Sequence, residues 1–223
     1  MTGLDVKAEV NRQLAGILER IKKIPEGKKV YNGPEGICFA RDHFYWYDED
    51  FNEIDPPKKI KGTINPDFFN VSITSLEGSP RVVGGDFDCS RTKITSLEGC
   101  PEKVGGSFYC SSTKITSLEG CPKSVGESFV CSSTHITSLK GAPKRVGGNF
   151  YCWNTNITSL EGSPEKVGGN FHCSYTNITS LEGSPRTVNG YFNCSKTKIT
   201  SLKGAPAKIG NIGYSKFSYS IPS

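Results

Sequence analysis

The chain has 223 residues, and its apolar content of 35% with 22% charged residues excludes a disordered or membrane-spanning composition. Glycine occurs 25 times, mostly after residue 60, which excludes a helical bundle and indicates many turns. The net charge of +5 is mild and its lysines recur at many positions, so we expect it to serve solubility rather than nucleic-acid binding.

The first predicted element is a helix from about residue 4 to residue 24. Apolar side chains recur there at three- and four-residue spacing, and Pro25 and Gly27 follow. The segment lacks the basic start, apolar core and cleavage site of a secretory signal. No apolar run approaches the roughly 18 residues that cross a bilayer. We therefore expect a soluble, cytoplasmic protein that does not contact membranes.

Two short apolar segments follow the helix. Residues 36–40 and 44–47 are joined by residues 41–43, which predicts a β-hairpin. The sequence Asp55-Pro56-Pro57 then interrupts the chain. Helix and hairpin together predict a small α+β domain over residues 1–65, which caps a repeat array over residues 66–223.

A 21-residue unit fills most of the array. Its seven copies open on I-T-S-L segments that begin at Ile73, Ile94, Ile115, Ile136, Ile157, Ile178 and Ile199. A fixed period of this length predicts a solenoid in which each copy forms one coil. Phe and Cys of the F-x-C pair share one face of a strand, so we expect them to form ladders inside the core. The fold class is mainly β, with one parallel-sheet strand per coil.

The other fixed positions predict corners of the coil. A threonine stands three residues after each ladder cysteine, where its hydroxyl can satisfy backbone groups of a turn. The G-x-P and G-G elements are expected to supply the positive φ and the fixed φ of two corners. After Ile199 the pattern decays, because Gly213 stands where Phe is expected. Phe217, Tyr219 and Ile221 alternate with polar residues, which predicts a terminal strand that closes the last coil.

The segment F-x-C-x-x-T-x-I-x-x-L resembles the leucine-rich repeat L-x-L-x-x-N-x-L-x-x-L, with Cys for the second leucine and Thr for the asparagine. The resemblance covers residues 73–212 and is to short-unit repeat proteins of bacteria and bacteriophages, with units of about 20 residues. It implies a solenoid whose exposed sheet face holds the ligand contacts. Gly replaces the family's first leucine and Thr cannot form its asparagine ladder, so we expect a different curvature and strand length.

The nine cysteines could indicate a metal or redox site. Six of them form the ladder at 21-residue spacing, without C-x-x-C and without interleaved histidines, so we expect small buried hydrophobes and no metal, cofactor or catalytic site. Cys100 and Cys121 lie in adjacent coils, and a bridge between them stays open. An enzyme would have to use Cys38, Asp42 and His43 near the hairpin.

The remaining candidates lie where the coils differ, on the outward strand positions around Phe and Cys. Aromatic residues gather there in coils four to six, and Tyr and Trp are enriched at binding hot spots. Packing between neighbouring strands is the alternative reason for aromatics on a sheet. The predicted partner-binding residues are Arg91, Tyr109, Tyr151, Trp153, His172, Tyr175, Tyr191, Asn193 and Lys196.

These residues lead us to expect a non-enzymatic scaffold that binds one macromolecule, a protein, through the exposed sheet face. The resemblance to phage-type proteins implies a host protein as partner, with the chain as inhibitor or adaptor in the host cytoplasm. The alternative is nucleic-acid binding, in which the aromatic rings stack on bases and basic residues hold phosphates. Those basic residues are Arg91, Lys93, Lys114, Lys196 and Lys198. The sequence leaves the oligomeric state open.

Overall fold

A computed structural model describes residues 10–16, 18–19, 27–64, 73–210 and 217–218. The chain forms one helix near the N-terminus, a four-stranded antiparallel sheet and a parallel β-solenoid with coils of about 21 residues. In the described ranges, no helix combines the length and the apolar character that crossing a membrane requires.

The helix covers residues 10–16 and 18–19, and the rest of the predicted helix lies outside the described residues. In the described part of the helix, the apolar side chains of Val10, Leu14 and Leu18 are about half exposed. A pattern with helical period thus gave the right element here, although these three side chains do not enter the core.

The predicted hairpin is confirmed and belongs to a larger sheet. Strands β1 (Lys28–Gly33), β2 (Gly36–Ala40), β3 (Phe44–Tyr47) and β4 (Glu53–Ile54) pair in chain order, each antiparallel to the next. One face of this sheet buries Cys38, Ala40, Phe44 and Trp46.

The coils contribute to two parallel sheets. The valine sheet consists of β5 (Lys59–Ile60), β6 (Val82–Val83), β8 (Lys103–Val104), β10 (Ser124–Val125), β12 (Arg145–Val146), β14 (Lys166–Val167), β16 (Thr187–Val188) and β18 (Lys208–Ile209). The phenylalanine sheet consists of β7 (Phe87–Asp88), β9 (Phe108–Tyr109), β11 (Phe129–Val130), β13 (Phe150–Tyr151), β15 (Phe171–His172), β17 (Phe192–Asn193) and β19 (Phe217–Ser218).

The prediction of one strand per coil is therefore wrong, because each complete coil has two. The residues before each G-G pair are extended as well, and they hydrogen-bond to the same positions of the neighbouring coils. The strand is only two residues long, with one side chain outward and Val inward. A segment this short has no alternation that could indicate it in the sequence.

The core consists of ladders that run along the solenoid. The rings of Phe108, Phe129 and Phe150 stack at centroid distances of 5.3 Å, and the ladder continues to Phe87 and Phe192. The Cys, Val, Ile and Leu of each complete coil are buried beside them. The predicted inward ladders of Phe and Cys are confirmed. Because each coil stacks on the next, no single coil has to bury its apolar face alone.

The corners use three different devices. Glycine of the G-x-P element is left-handed in every copy, as at Gly120 with φ of 84°. The G-G element was expected to contribute to a corner by positive φ, and this is wrong, because neither glycine of a pair has positive φ. A Cβ atom on Gly126 would lie 1.9 Å from the carbonyl oxygen of Gly105, so close stacking excludes side chains there. The predicted threonine role is confirmed, since Thr113 Oγ1 donates to the Cys110 carbonyl over 2.8 Å.

The N-terminal sheet contacts the first complete coil. Trp46 Nε1 donates to the Gly78 carbonyl over 2.7 Å, and the Phe44 ring lies 5.9 Å from the Phe87 ring. The valine sheet already begins at β5, inside the range predicted for the N-terminal domain. Ile60 and Ile64 take the places of Val and Phe there, so a search for the repeat motif passes over this partial coil.

The last described strand, β19, belongs to the phenylalanine sheet. Phe217 pairs with Phe192 in β17, which confirms a terminal strand at this point. Tyr219 and Ile221, which were predicted to continue it, lie outside the described residues.

Candidate functional site

The outer face of the phenylalanine sheet presents one side chain per coil between Phe and Cys. This column reads Asp88, Tyr109, Val130, Tyr151, His172 and Asn193, and its members pair in register from strand to strand. All six side chains are partly exposed, while Phe and Cys on either side are buried. The fixed residues thus build the rigid support, and the variable residues face outward.

The His172 ring lies beside two aromatic side chains of the preceding coil on this face, and we call Tyr151, Trp153 and His172 the aromatic cluster. The Tyr151 and His172 rings meet edge to face at 6.1 Å, and the Trp153 ring lies 6.4 Å from the His172 ring. Ser174 Oγ and Asn193 Nδ2 lie 2.6 and 3.1 Å from His172 Nε2. The imidazole is therefore held from four sides, which fixes the geometry of the cluster.

Partial burial lowers the pKa of His172 below its ordinary value, because desolvation disfavours the charged imidazole. The Asn193 amide group can donate to Nε2 only when that nitrogen carries no proton. Both effects favour neutral histidine at pH 7. The aromatic cluster is then uncharged and has hydrogen-bonding groups at its edge.

Three predicted residues lie at a corner beside the sheet rather than on it. Arg91, Tyr175 and Lys196 occupy the second position after Cys, and this position has φ of 55° to 59° in every copy. None of the six residues in this column is glycine. The left-handed corner leaves the Tyr175 side chain 61% exposed. In this column, Asn154 belongs to the same coil as Tyr151 and Trp153. Tyr175 and Lys196 stand in the next two coils, whereas Arg91 stands three coils earlier.

The column before Phe has a different role from the one expected. Each polar side chain there accepts a hydrogen bond from the backbone N–H of the next coil, as Asn149 Oδ1 does from Asn170 N over 2.8 Å. Asp86, Ser107, Ser128 and Asn170 accept in the same way. Most of the column is therefore a structural polar ladder. Tyr191 departs from it in residue type and is 41% exposed.

The predicted residues thus divide into two groups. Tyr151, Trp153, His172 and Asn193 are in contact or hydrogen-bonded, and Tyr175, Tyr191 and Lys196 lie in the same or adjacent coils. Tyr109 is separated from Tyr151 by Val130, and Arg91 is further along the solenoid. We call Tyr151, Trp153, His172, Tyr175 and Tyr191 the aromatic surface.

The thiols are not arranged for chemistry. All nine cysteines are free, and burial raises the pKa of the six ladder thiols and of Cys38. Burial also raises the pKa of Cys121 to about 12. A thiol with so high a pKa is a poor nucleophile at neutral pH. Cys38 lies in the core, while Asp42 and His43 lie on the exposed turn between β2 and β3.

A second surface on the valine sheet was missed in the sequence. A shallow groove of about 730 Å³ runs across its strands, with Gly84, Gly105, Gly126 and Gly147 among the lining residues. The outward side chains of the strands, such as Lys103, stand beside this glycine column. The signal was available in the sequence, because a Lys or Arg recurs directly before the valine. It was not used because these residues were not recognised as a strand.

Comparisons with protein-family models, with curated proteins and with solved structures find no match for this chain. The two exposed sheet faces are therefore the candidate binding surfaces of this chain.

Proposed function

We propose that the chain is a non-enzymatic scaffold that binds a protein partner through the aromatic surface. The observation that supports this proposal is the clustering of exposed rings in adjacent coils on a rigid sheet. Trp153, Tyr175 and Tyr191 are 38%, 61% and 41% exposed. Tyr and Trp give large contact area with few rotatable bonds, which makes them frequent anchors in protein interfaces.

Comparison between the coils supports a role beyond folding. Trp153 stands where the other complete coils have serine, and Tyr175 stands where two coils have serine and one has asparagine. Those coils have the same backbone conformation with small side chains. The large rings are therefore not needed to build a coil, and a partner accounts for their presence.

The N-terminal sheet is proposed to cap the solenoid. Its Trp46 and Phe44 contact the first complete coil, and Phe44 together with Ile64 of the partial coil covers the Phe87 end of the Phe ladder. The relation to leucine-rich-repeat proteins of bacteria or bacteriophages, and a host protein as partner in the cytoplasm, belong to the same proposal. They rest on the resemblance of the repeat unit.

Site-specific cross-linking tests the binding surface. The photoreactive residue p-benzoylphenylalanine is placed at Tyr175, or as a matched control at Ser112, which occupies the same left-handed corner three coils earlier. After irradiation in cell lysate, we expect a discrete cross-linked protein from position 175 and none from position 112. The same cross-linked bands from both positions would contradict the proposal.

A further inference from the structure

The outer face of the valine sheet, together with the corner residue before each strand, concentrates positive charge. A proline precedes each of its eight strands. The first residue after this proline stands directly before the strand, and the second is the outward residue of the strand. Ten of these sixteen residues are Lys or Arg, from Lys58 and Lys59 in the first strand region to Lys208 in the last, and all ten are exposed. We call these ten residues the basic face.

Only two carboxylates, Glu102 and Glu165, occupy the same positions. The sixteen residues therefore carry a net charge of +8, which exceeds the +5 of the whole chain. Ten of the 27 Lys and Arg residues thus belong to the basic face, and the remainder of the protein is slightly acidic. Such a one-sided distribution is typical of a surface that attracts a polyanion.

The charges on this face are only partly compensated. Glu102 lies between two cations, at 3.1 Å from Arg81 and 3.9 Å from Lys123. Arg145 and Lys166, however, are direct neighbours on paired strands, about 4.8 Å apart along the sheet. Both line the glycine groove together with Lys59 and Lys103. Among the described lining residues of this groove there is no carboxylate. A bound anion would relieve the repulsion between these cations.

The shape of the face restricts the class of ligand. Its interior strands are paired on both sides, so a peptide cannot be added as a further strand there. The described lining of the groove has no aromatic ring on which an unpaired base could stack. The inward valines are buried, and Val82 is the one apolar residue at an outward position of the eight described strands, so the face has no apolar pocket for a peptide side chain. What remains is a shallow surface on which the charged side chains are the groups suited to hold a ligand.

We propose that the basic face binds the phosphate backbone of duplex nucleic acid without reading its sequence. In a duplex the bases stay stacked inside, so the ligand needs no aromatic contacts from the protein. Eight strands at about 4.8 Å give a face about 34 Å long, which equals about one turn of a duplex. This site lies on a different sheet from the aromatic surface, and neither depends on the other.

The test uses the full chain and a fluorescent 20-base-pair DNA duplex of mixed sequence, with binding followed by anisotropy between 50 and 300 mM salt. The variant is Lys103→Ser/Arg145→Ser/Lys166→Thr, because Ser124 and Thr187 already occupy this column in other coils. The matched control is Lys93→Asn/Lys114→Asn/Lys198→Asn, since Asn156 and Asn177 occupy that column. Both variants lose three positive charges, from different faces.

We expect the wild-type protein and the control to bind the duplex, with affinity that falls steeply with salt and does not depend on the base sequence. In the groove variant, the slope of log K against log salt should decrease in magnitude by about two to three, as the loss of three phosphate contacts requires. Equal loss in both triple variants would overturn the proposal, because net charge alone would then explain binding. So would the absence of duplex binding at 50 mM salt, or equally tight binding of a 20-residue poly-glutamate peptide or of single-stranded (dT)20.

Discussion

The indole ring of Trp153 lies 6.4 Å from the imidazole ring of His172, which belongs to the next coil of the phenylalanine sheet. These two residues stand 19 positions apart in the chain, Trp153 in a column that otherwise holds serine and His172 in a column whose residue type varies from coil to coil. Stacking of the coils in register brings them together. The repeated residues fix the register, and the residues that differ between coils use it to form a surface.

The left-handed corner of the G-x-P element predicts a large effect of a single methyl group. Gly120 has φ of 84°, and a Cβ atom there would lie 2.8 Å from the carbonyl oxygen of Leu97. We expect Gly120→Ala to lower the free energy of unfolding by about 2 kcal/mol, as measured by urea titration. The control is Gly16→Ala in the helix, because a Cβ atom there meets no other atom within 4 Å. It should cost about 0.5 kcal/mol or less, and equal losses would contradict this role of the corner.

The threonine ladder predicts that the same substitution has different effects three residues apart. Thr113 is buried and its hydroxyl donates to the Cys110 carbonyl, whereas Thr116 is exposed. Thr113→Val keeps the shape but leaves that carbonyl without its hydroxyl donor, so we expect a loss of about 1 to 2 kcal/mol in the free energy of unfolding. Thr116→Val should change it by less than about 0.5 kcal/mol. If thermal unfolding ranks the two variants the other way, the hydrogen bond does not stabilise the corner.

The contact between the N-terminal sheet and the first complete coil can be tested with the two tryptophans. Trp46→Phe removes the hydrogen bond to the Gly78 carbonyl in a buried site. We expect it to lower the free energy of unfolding by about 1 to 2 kcal/mol. The matched variant Trp153→Phe changes an exposed ring and should cost less than about 0.5 kcal/mol. A Trp46→Phe protein as stable as wild type would show that this contact does not support the solenoid.

His172 predicts a pH dependence of stability. In the folded protein, burial lowers the pKa of His172 below its ordinary value of 6.5. Between pH 6.5 and this lowered pKa, the unfolded chain therefore binds a proton that the folded chain does not. The free energy of unfolding should therefore decrease as the pH falls from 7.5 through 6.5 and towards the lowered pKa. The measurement compares urea midpoints at pH 7.5 and 5.5.

The variant His172→Asn, which copies Asn193 of the next coil, should show a smaller difference between the two pH values than wild type. The control His135→Asn removes an exposed histidine and copies Asn156 of the next coil. It should retain the wild-type difference. If His172→Asn also retains it, another group is responsible for the pH dependence.

The period of the sequence was sufficient to predict the solenoid, the inward ladders and the threonine corners, because a strict repeat forces every coil to solve the same packing problem. The strand of the valine sheet was not predictable by alternation, since only one inward residue stands between an outward residue and glycine. The left-handed corner at Tyr175 was equally hidden, because none of the six residues in its column is glycine.

The candidate site was predicted in part. Tyr151, Trp153 and His172 were grouped because equal spacing places them in adjacent coils, and the structure brings their rings into contact. Arg91 and Tyr109 share columns with the group but lie too many coils away. The polar ladder before Phe could not be predicted, because its hydrogen bonds to the next coil depend on backbone geometry that residue types alone do not specify.

The central claim is that binding depends on the residues in which the coils differ. The most direct measurement uses the partner that cross-linking identifies, purified without a cross-link. Its affinity is measured for the wild-type protein, for Trp153→Ser/Tyr175→Ser, and for the control Arg91→Ser/Tyr109→Val. Each substitution copies a residue of another coil, so all three proteins should fold. We predict a loss of about 30-fold or more for the first variant, as for hot-spot residues, and no change for the control. Unchanged affinity in the first variant, or an equal loss in both, would contradict the account.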